Sequence, residues 1–269
     1  VNQEEFKFEY SPAQFRAIIE KIENDRISNF LRINLHRFFR WFIKSRNDFK
    51  VINQEILLRQ KSNFVLASNH ASHLDILCLF SALPLERING CYSVAAEDYF
   101  FSNDLVSYFS RILANTLPFS RDYAAYAGLK ACGTLLDQGK SLIIFPEGTR
   151  SKTGEIQTFK PGIGILMAGR KEPVIPAYIQ GAFEALPKGR LFPRSVPITV
   201  TIGEPLTFEN LESNEKTWRL IAERIKDSIE AMLPKRLKRL SIDFDHHIEK
   251  SQDQGADQYS RDSKKLNPS

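Results

Sequence analysis

Asn63-Phe64-Val65-Leu66-Ala67-Ser68-Asn69-His70-Ala71-Ser72-His73-Leu74-Asp75 opens as a short apolar run and closes in turn chemistry. The run 63–68 has the length of a buried strand, and a helical pattern follows over about 73–82. His70 therefore falls at a strand-to-helix turn. The alternation continues outward in both directions. Strands are predicted at 49–52, 91–95, 141–145, 174–179 and 198–202, and helices at about 104–114, 123–138 and 162–170. A closing helix is predicted over 214–240, with Trp218, Ile221, Ile225, Ile229 and Met232 on one face and Lys235-Arg236-Leu237-Lys238-Arg239 after it. Short apolar strands alternating with helices predict an α/β fold, with a largely parallel central sheet flanked by helices.

Ahead of this unit stands an N-terminal amphipathic two-helix segment. Residues 12–24 begin at Pro12, and residues 28–45 repeat Ile27, Leu31, Leu35, Phe38 and Phe42 at spacings of four and three. Asn29, Arg32, His36 and Arg40 lie on the opposite side of that second helix. The chain thus divides into amphipathic helices over 1–48, an α/β domain over 49–240, and a polar tail over 241–269 expected to be disordered. At 269 residues, 42% hydrophobic and 26% charged, wholesale disorder and collagen-like repeats are excluded. The longest apolar runs fall far short of the roughly 18 residues of a membrane-spanning helix. The first residues are charged and polar, unlike a secretory signal peptide, and the Val1 start suits a segment of a longer protein. Three cysteines (78, 91 and 132) without metal-ligand spacing argue against a disulfide framework and for a reducing compartment.

His70 and Asp75 stand five residues apart, so on one helix they would point about 140° from each other. They can meet only if His70 lies in the turn and Asp75 in the first helical turn. A carboxylate on one ring nitrogen fixes the tautomer and leaves the other nitrogen as a base. The simpler reading is a capping box, with Ser72 as N-cap and Asp75 three residues on. His73 reads as a packing or solvated histidine. A second segment, Phe145-Pro146-Glu147-Gly148-Thr149-Arg150-Ser151, follows the strand 141–145 directly. It combines a glycine for close backbone approach with a hydroxyl, a carboxylate and a guanidinium suited to phosphate.

These blocks, in this order, resemble the glycerolipid acyltransferase family. Asn69-His70 with Asp75 is the first. Leu117-Pro118-Phe119-Ser120-Arg121 is the second, and Phe145 to Ser151, followed by Phe159-Lys160-Pro161-Gly162, the third. Pro173-Val174-Ile175-Pro176 is the fourth. The resemblance covers about residues 50–210. It implies transfer of a fatty acyl group from a thioester to a hydroxyl of a glycerol-phosphate or lysophospholipid acceptor. His70 would be the base and Asp75 its orienting partner. Arg121 and Arg150 would hold the acceptor phosphate, and Glu147, Gly148 and Thr149 would shape the acceptor loop. The donor would be acyl-coenzyme A or acyl carrier protein, with neither metal nor other cofactor implied. The sequence departs from the family's pattern after the first block, where Ala95-Ala96-Glu97-Asp98-Tyr99-Phe100-Phe101 offers no lysine.

Amphiphilic substrates imply a peripheral site on the cytoplasmic face of a membrane. Seven Lys or Arg fall between Arg26 and Lys50 with one acid, Asp48, among many aromatics. Two arrangements are open. The aromatics enter the bilayer interface while Arg32, Arg37, Arg40 and Lys44 meet anionic headgroups, or the apolar side packs on the α/β domain and the basic side is solvated. No nucleic-acid motif accompanies the basic residues. Fusion to, or association with, an acyl-activating enzyme would fit this variant. The alternatives are a non-catalytic lipid-binding module of a larger protein, or a hydrolase of thioesters or lysolipids.

Overall fold

The computed structural model of the chain describes Glu20 and residues 25–96, 115, 117–119, 124–187, 189–190 and 192–234. The helices expected at 12–24 and 104–114, Arg121, the Lys235–Arg239 run and the polar tail lie outside them. The described part of Val1–Ala231 forms one compact unit.

Its centre is a seven-stranded sheet. The strands are β1 (Lys50–Ile52), β2 (Val65–Ser68), β3 (Cys91–Ala96), β4 (Leu117–Phe119), β5 (Ser141–Ile144), β6 (Val174–Gln180) and β7 (Thr199–Ile202), in the order β1-β7-β6-β2-β5-β3-β4. Every neighbouring pair is parallel except β6 and β7. All four residues of β2 are buried, as a central strand covered on both faces requires. The helices are α1 (Arg26–Asn47), α2 (Glu55–Arg59), α3 (Leu74–Ala82), α4 (Ala124–Asp137), α5 (Gly162–Met167), α6 (Ala182–Ala185) and α7 (Glu215–Glu230). Phe64, Leu66, Leu79, Phe80, Ile143, Ile175 and Val200 belong to one continuous apolar core. In parallel sheets of this kind ligands gather beyond the carboxyl ends of the strands. Here the ends of β2 and β5 lie side by side, with Ala67 opposite Ile144.

Helix α1 is capped by Asp25, whose carboxylate accepts from the backbone N–H of Ile27 and Ser28, and it turns its polar side inward. Arg32 and His36 are buried, while Ile27 (74%), Phe38 (52%) and Trp41 (62%) are exposed. Arg32 donates to Asn29 Oδ1 and Asn89 Oδ1, His36 stacks on Phe80 at 4.8 Å, and Arg40 donates to the Leu83 carbonyl at 2.6 Å. Of the two arrangements open to the sequence, the one with the apolar side packed inward holds only at the C-terminal end of the helix, where Ile43 joins the core and Phe42 packs against it. The other needs correction as well, because Arg32 and Arg40 point at the protein; the outward cations are Arg26, Arg37, Lys44 and Arg46.

Other differences have local causes. Helix α5 stops at Met167 rather than 170, because the chain turns through Gly169 at φ +75°. Helix α7 stops at Glu230, short of the expected 240, and buries Ile221, Ala222, Ile225 and Ile229. Gly164 on α5 lets α7 come so close that a Cβ there would overlap the Trp218 backbone. Leu117-Pro118-Phe119, expected only as part of a phosphate block, forms an edge strand paired to β3, a position where a proline costs no ladder hydrogen bond on its open side.

Candidate active site

Strand β2 runs into the turn 69–73. Asn69 fixes the start of that turn with a side chain that imitates one more step of the β2–β6 ladder. Its Oδ1 accepts from Ile179 N–H at 2.8 Å and its Nδ2 donates to the Ile179 carbonyl at 3.0 Å. The β2–β5 register, carried three residues past Ala67 and Ile144, sets His70 opposite Glu147. The Glu147 carboxylate takes the ladder's place there, accepting the His70 N–H at 2.8 Å, and Ser151 N–H donates to the His70 carbonyl at 2.7 Å. His70 is thus bonded into the 145–151 loop on both sides of its α-carbon, and its ring stacks on Phe145 with centroids 4.1 Å apart.

Asp75 is fully buried. Its Oδ2 accepts from Ala71 N–H and Ser72 N–H, each at 2.7 Å, and lies 2.9 Å from His70 Nδ1. An ionised carboxylate only accepts, so Nδ1 carries the proton and Nε2 presents its lone pair. Ser72 Oγ accepts from Leu74 N–H at 3.1 Å and donates to the Leu186 carbonyl at 2.8 Å. Half of the expected capping box forms, since Asp75 Oδ2 accepts the Ser72 N–H while also meeting His70; the other half does not, because the Ser72 hydroxyl takes the Leu74 N–H and His73 is the N-cap residue.

Burial raises the Glu147 pKa above the usual carboxylate value, opposed by its hydrogen bonds to His70 and Gln157 and by the nearby His70 charge. Glu147 Oε2 accepts from the Gln157 side chain at 2.8 Å, and that amide also donates to the Thr149 carbonyl at 3.1 Å. Gln157 was not singled out from sequence; a side chain that braces a loop from ten residues away leaves no periodic trace. Gly148 adopts φ +72°, where a side chain is strained, and Thr149 is exposed. Arg150 is half-buried. Burial lowers its pKa, and the Asp75 carboxylate opposes that shift. His73 is pushed down to about 4, by burial first and then by the Arg150 and His70 charges, so it is neutral at pH 7. The turn thus gathers His70, Asp75, Glu147 and Arg150; Arg121 lies outside the described residues. Among the described residues, no three His, Cys, Asp or Glu are grouped to hold a metal ion.

Residues 48–180, which contain every one of these groups, match the family model described as Acyltransferase. The 1-acyl-sn-glycerol-3-phosphate acyltransferase of Bacillus subtilis is 30% identical over 178 residues, which are 64% of this chain and 81% of that protein. The chain belongs to the glycerolipid acyltransferase family. The enzyme of the same name from Cocos nucifera is 31% identical over 150 residues, 55% of this chain and 47% of its own length. That from Limnanthes douglasii is 30% identical over 151 residues, 56% of this chain and 52% of its own length. The chain spans about half the length of these two plant relatives. Among solved structures, the 1-acyl-sn-glycerophosphate (LPA) acyltransferase PlsC from Thermotoga maritima shares the fold. The TM-score is 0.56 at 24% identity, covering 82% of this chain and 81% of that one. This member of the glycerolipid acyltransferase family keeps its histidine and loop on the adjoining strands β2 and β5.

Proposed function

We propose that the protein moves a fatty acyl group from an acyl thioester to a hydroxyl of a glycerol-phosphate or lysophospholipid acceptor, in phospholipid synthesis or remodelling. The observation that carries this reading is the His70 Nδ1–Asp75 Oδ2 contact at 2.9 Å, which leaves Nε2 as a base beside a loop bearing Arg150. His70 Nε2 takes the acceptor hydroxyl proton as the oxygen attacks the thioester carbonyl. The tetrahedral intermediate collapses, the C–S bond breaks, and the imidazolium returns the proton to the leaving thiolate. Asp75 stabilises the imidazolium between these steps. A base so placed is worth roughly 10²–10⁴ in rate. Arg150, with Arg121, would hold the acceptor phosphate, turning an encounter into an oriented one. The donor is an acyl-coenzyme A or an acyl carrier protein thioester.

The reaction would take place at the cytoplasmic surface of a membrane. No helix of the described residues is long and apolar enough to cross one. What supports surface contact is α1, with Phe30, Leu31, Phe38 and Trp41 exposed along one side and Arg37 and Lys44 beside them. The test is incubation of the purified protein with labelled acyl-coenzyme A or acyl carrier protein and a panel of glycerol 3-phosphate, lysophosphatidate and neutral lysophospholipid. An acylated acceptor is the expected product. Free fatty acid as the sole product would replace this reading with a hydrolase, and no turnover of any kind with a lipid-binding module.

A further inference from the structure

The loop that anchors His70 is crossed by a side chain from the segment leading into α5. Phe159 is buried, and the Lys160 N–H donates to the Pro146 carbonyl at 2.9 Å, so the Lys160 backbone is held to the loop. Its side chain then lies flat across Gly148. A Cβ at that glycine would stand 2.8 Å from Lys160 Nζ, 2.9 Å from Cε and 3.1 Å from Cδ. Gly148 thus serves two ends: it permits φ +72°, and it leaves the space the lysine occupies. No ion pair or hydrogen bond joins the Lys160 ammonium to any described residue. Glu147, the acid closest in the loop, is buried and commits one oxygen to His70 and the other to Gln157. Lys160 is itself exposed, and its stem runs along the loop backbone at Gly148 with its ammonium open to a ligand from solvent.

Arg150 stands two residues beyond Gly148, at most about 7 Å of chain, and its charge acts on Asp75 and His73. Two cations, Arg150 of the loop and Lys160 of the segment bonded to it, therefore stand beside the exposed Gly148 and Thr149. We propose that Lys160 is a second substrate-binding cation of this loop and takes the phosphate monoester of the acceptor together with Arg150. This rests on the acyl-transfer reading above. The donor also carries phosphate, but the geometry favours the acceptor. A few carbons separate hydroxyl from phosphate in a glycerol phosphate, so a hydroxyl at His70 brings its phosphate to this loop. In the thioester donor the whole pantetheine arm intervenes.

The test compares wild type, Lys160→Met and Lys160→Arg. Each is assayed with lysophosphatidate, with monoacylglycerol, which lacks the phosphate, and with varied acyl-coenzyme A. Lys160→Met should raise the KM for lysophosphatidate about tenfold, the loss of roughly 1.4 kcal/mol of binding, while kcat falls far less. The KM for monoacylglycerol and for acyl-coenzyme A should barely move, and Lys160→Arg should recover most of the loss. Gly148→Ala, which displaces the stem without removing the charge, should move the lysophosphatidate KM the same way. Melting temperatures of all variants separate binding loss from unfolding. An unchanged lysophosphatidate KM in Lys160→Met overturns the proposal, as does an equal rise for monoacylglycerol or a rise confined to acyl-coenzyme A. If wild type acylates none of the acceptors, the acyl-transfer reading itself fails; if wild type is active and Lys160→Met is kinetically silent, only the role of Lys160 does.

Discussion

At the scale of single residues, the proposed base and the groups that hold it sit together in the turn 69–75. His70→Ala should lower turnover by roughly 10²–10⁴ with little change in melting temperature. Asp75→Asn should cost less in turnover but more in stability, because Oδ2 also accepts two backbone N–H groups. Wild-type turnover in both folded variants would remove the base from the mechanism. His73 supplies a pH signature. Its native pKa of about 4 lies below the unfolded value of 6.5, so the unfolded state binds the extra proton between the two. The stability it contributes is full above about pH 6.5 and is lost as pH falls towards 4. Glu147, whose pKa is raised, works in the opposite sense, so wild type and His73→Phe should be compared. The melting temperature of His73→Phe should fall less between pH 6.5 and 4; parallel curves would contradict the buried neutral imidazole. His70, Asp75 and Arg150 were legible in the sequence because their types and spacing are chemical. The bracing by Glu147 was not, since a hydrogen bond spanning 77 residues follows from strand register alone.

At the scale of elements, the buried strands β2, β5 and β6 were legible as apolar runs. Helix α2, with five residues, and β4, with three, are too short to show a period. Helix α1 gives a different lesson. Its periodicity shows two unlike sides, but which one turns inward depends on partners distant in sequence, such as Asn89, Phe80 and Leu83. Phe38→Ser with Trp41→Ser should therefore leave the melting temperature nearly unchanged while weakening binding to both neutral and anionic vesicles. Gln at Arg37 and Lys44 should weaken binding to anionic vesicles alone, by on the order of 1 kcal/mol per charge at low salt. Vesicle co-sedimentation measures both, and equal binding by all variants would sink the docking role of α1. Gly164→Ala should cost about 1–3 kcal/mol, read by denaturant unfolding, because the added methyl meets the Trp218 main chain.

For the molecule as a whole, the three cysteines report on cooperative opening. Cys78 on α3, Cys91 on β3 and Cys132 on α4 are free and buried, and burial raises all three thiol pKa values, Cys132 to about 12. A thiol reagent should leave the native protein almost unlabelled and should modify all three at one rate as denaturant approaches the unfolding midpoint. Early labelling of one thiol would reveal a part that opens alone. The reversed polarity of α1 also bears on how such a molecule can drift over evolutionary time. Core positions such as Leu66 or Phe80 answer to neighbours of fixed shape, where a methylene gained or lost is felt. A lipid surface is a fluid and imposes no shape. If the outward residues of α1 meet one, Leu for Phe38 or Phe for Leu31 changes little so long as the side stays apolar. The inward residues Arg32 and His36, each matched to particular groups, tolerate far less. Along this helix the buried Arg32 and His36 should be constant, together with Ile43 in the core, and the outward apolar positions interchangeable, the reverse of what a helix laid by its apolar side on a protein core displays.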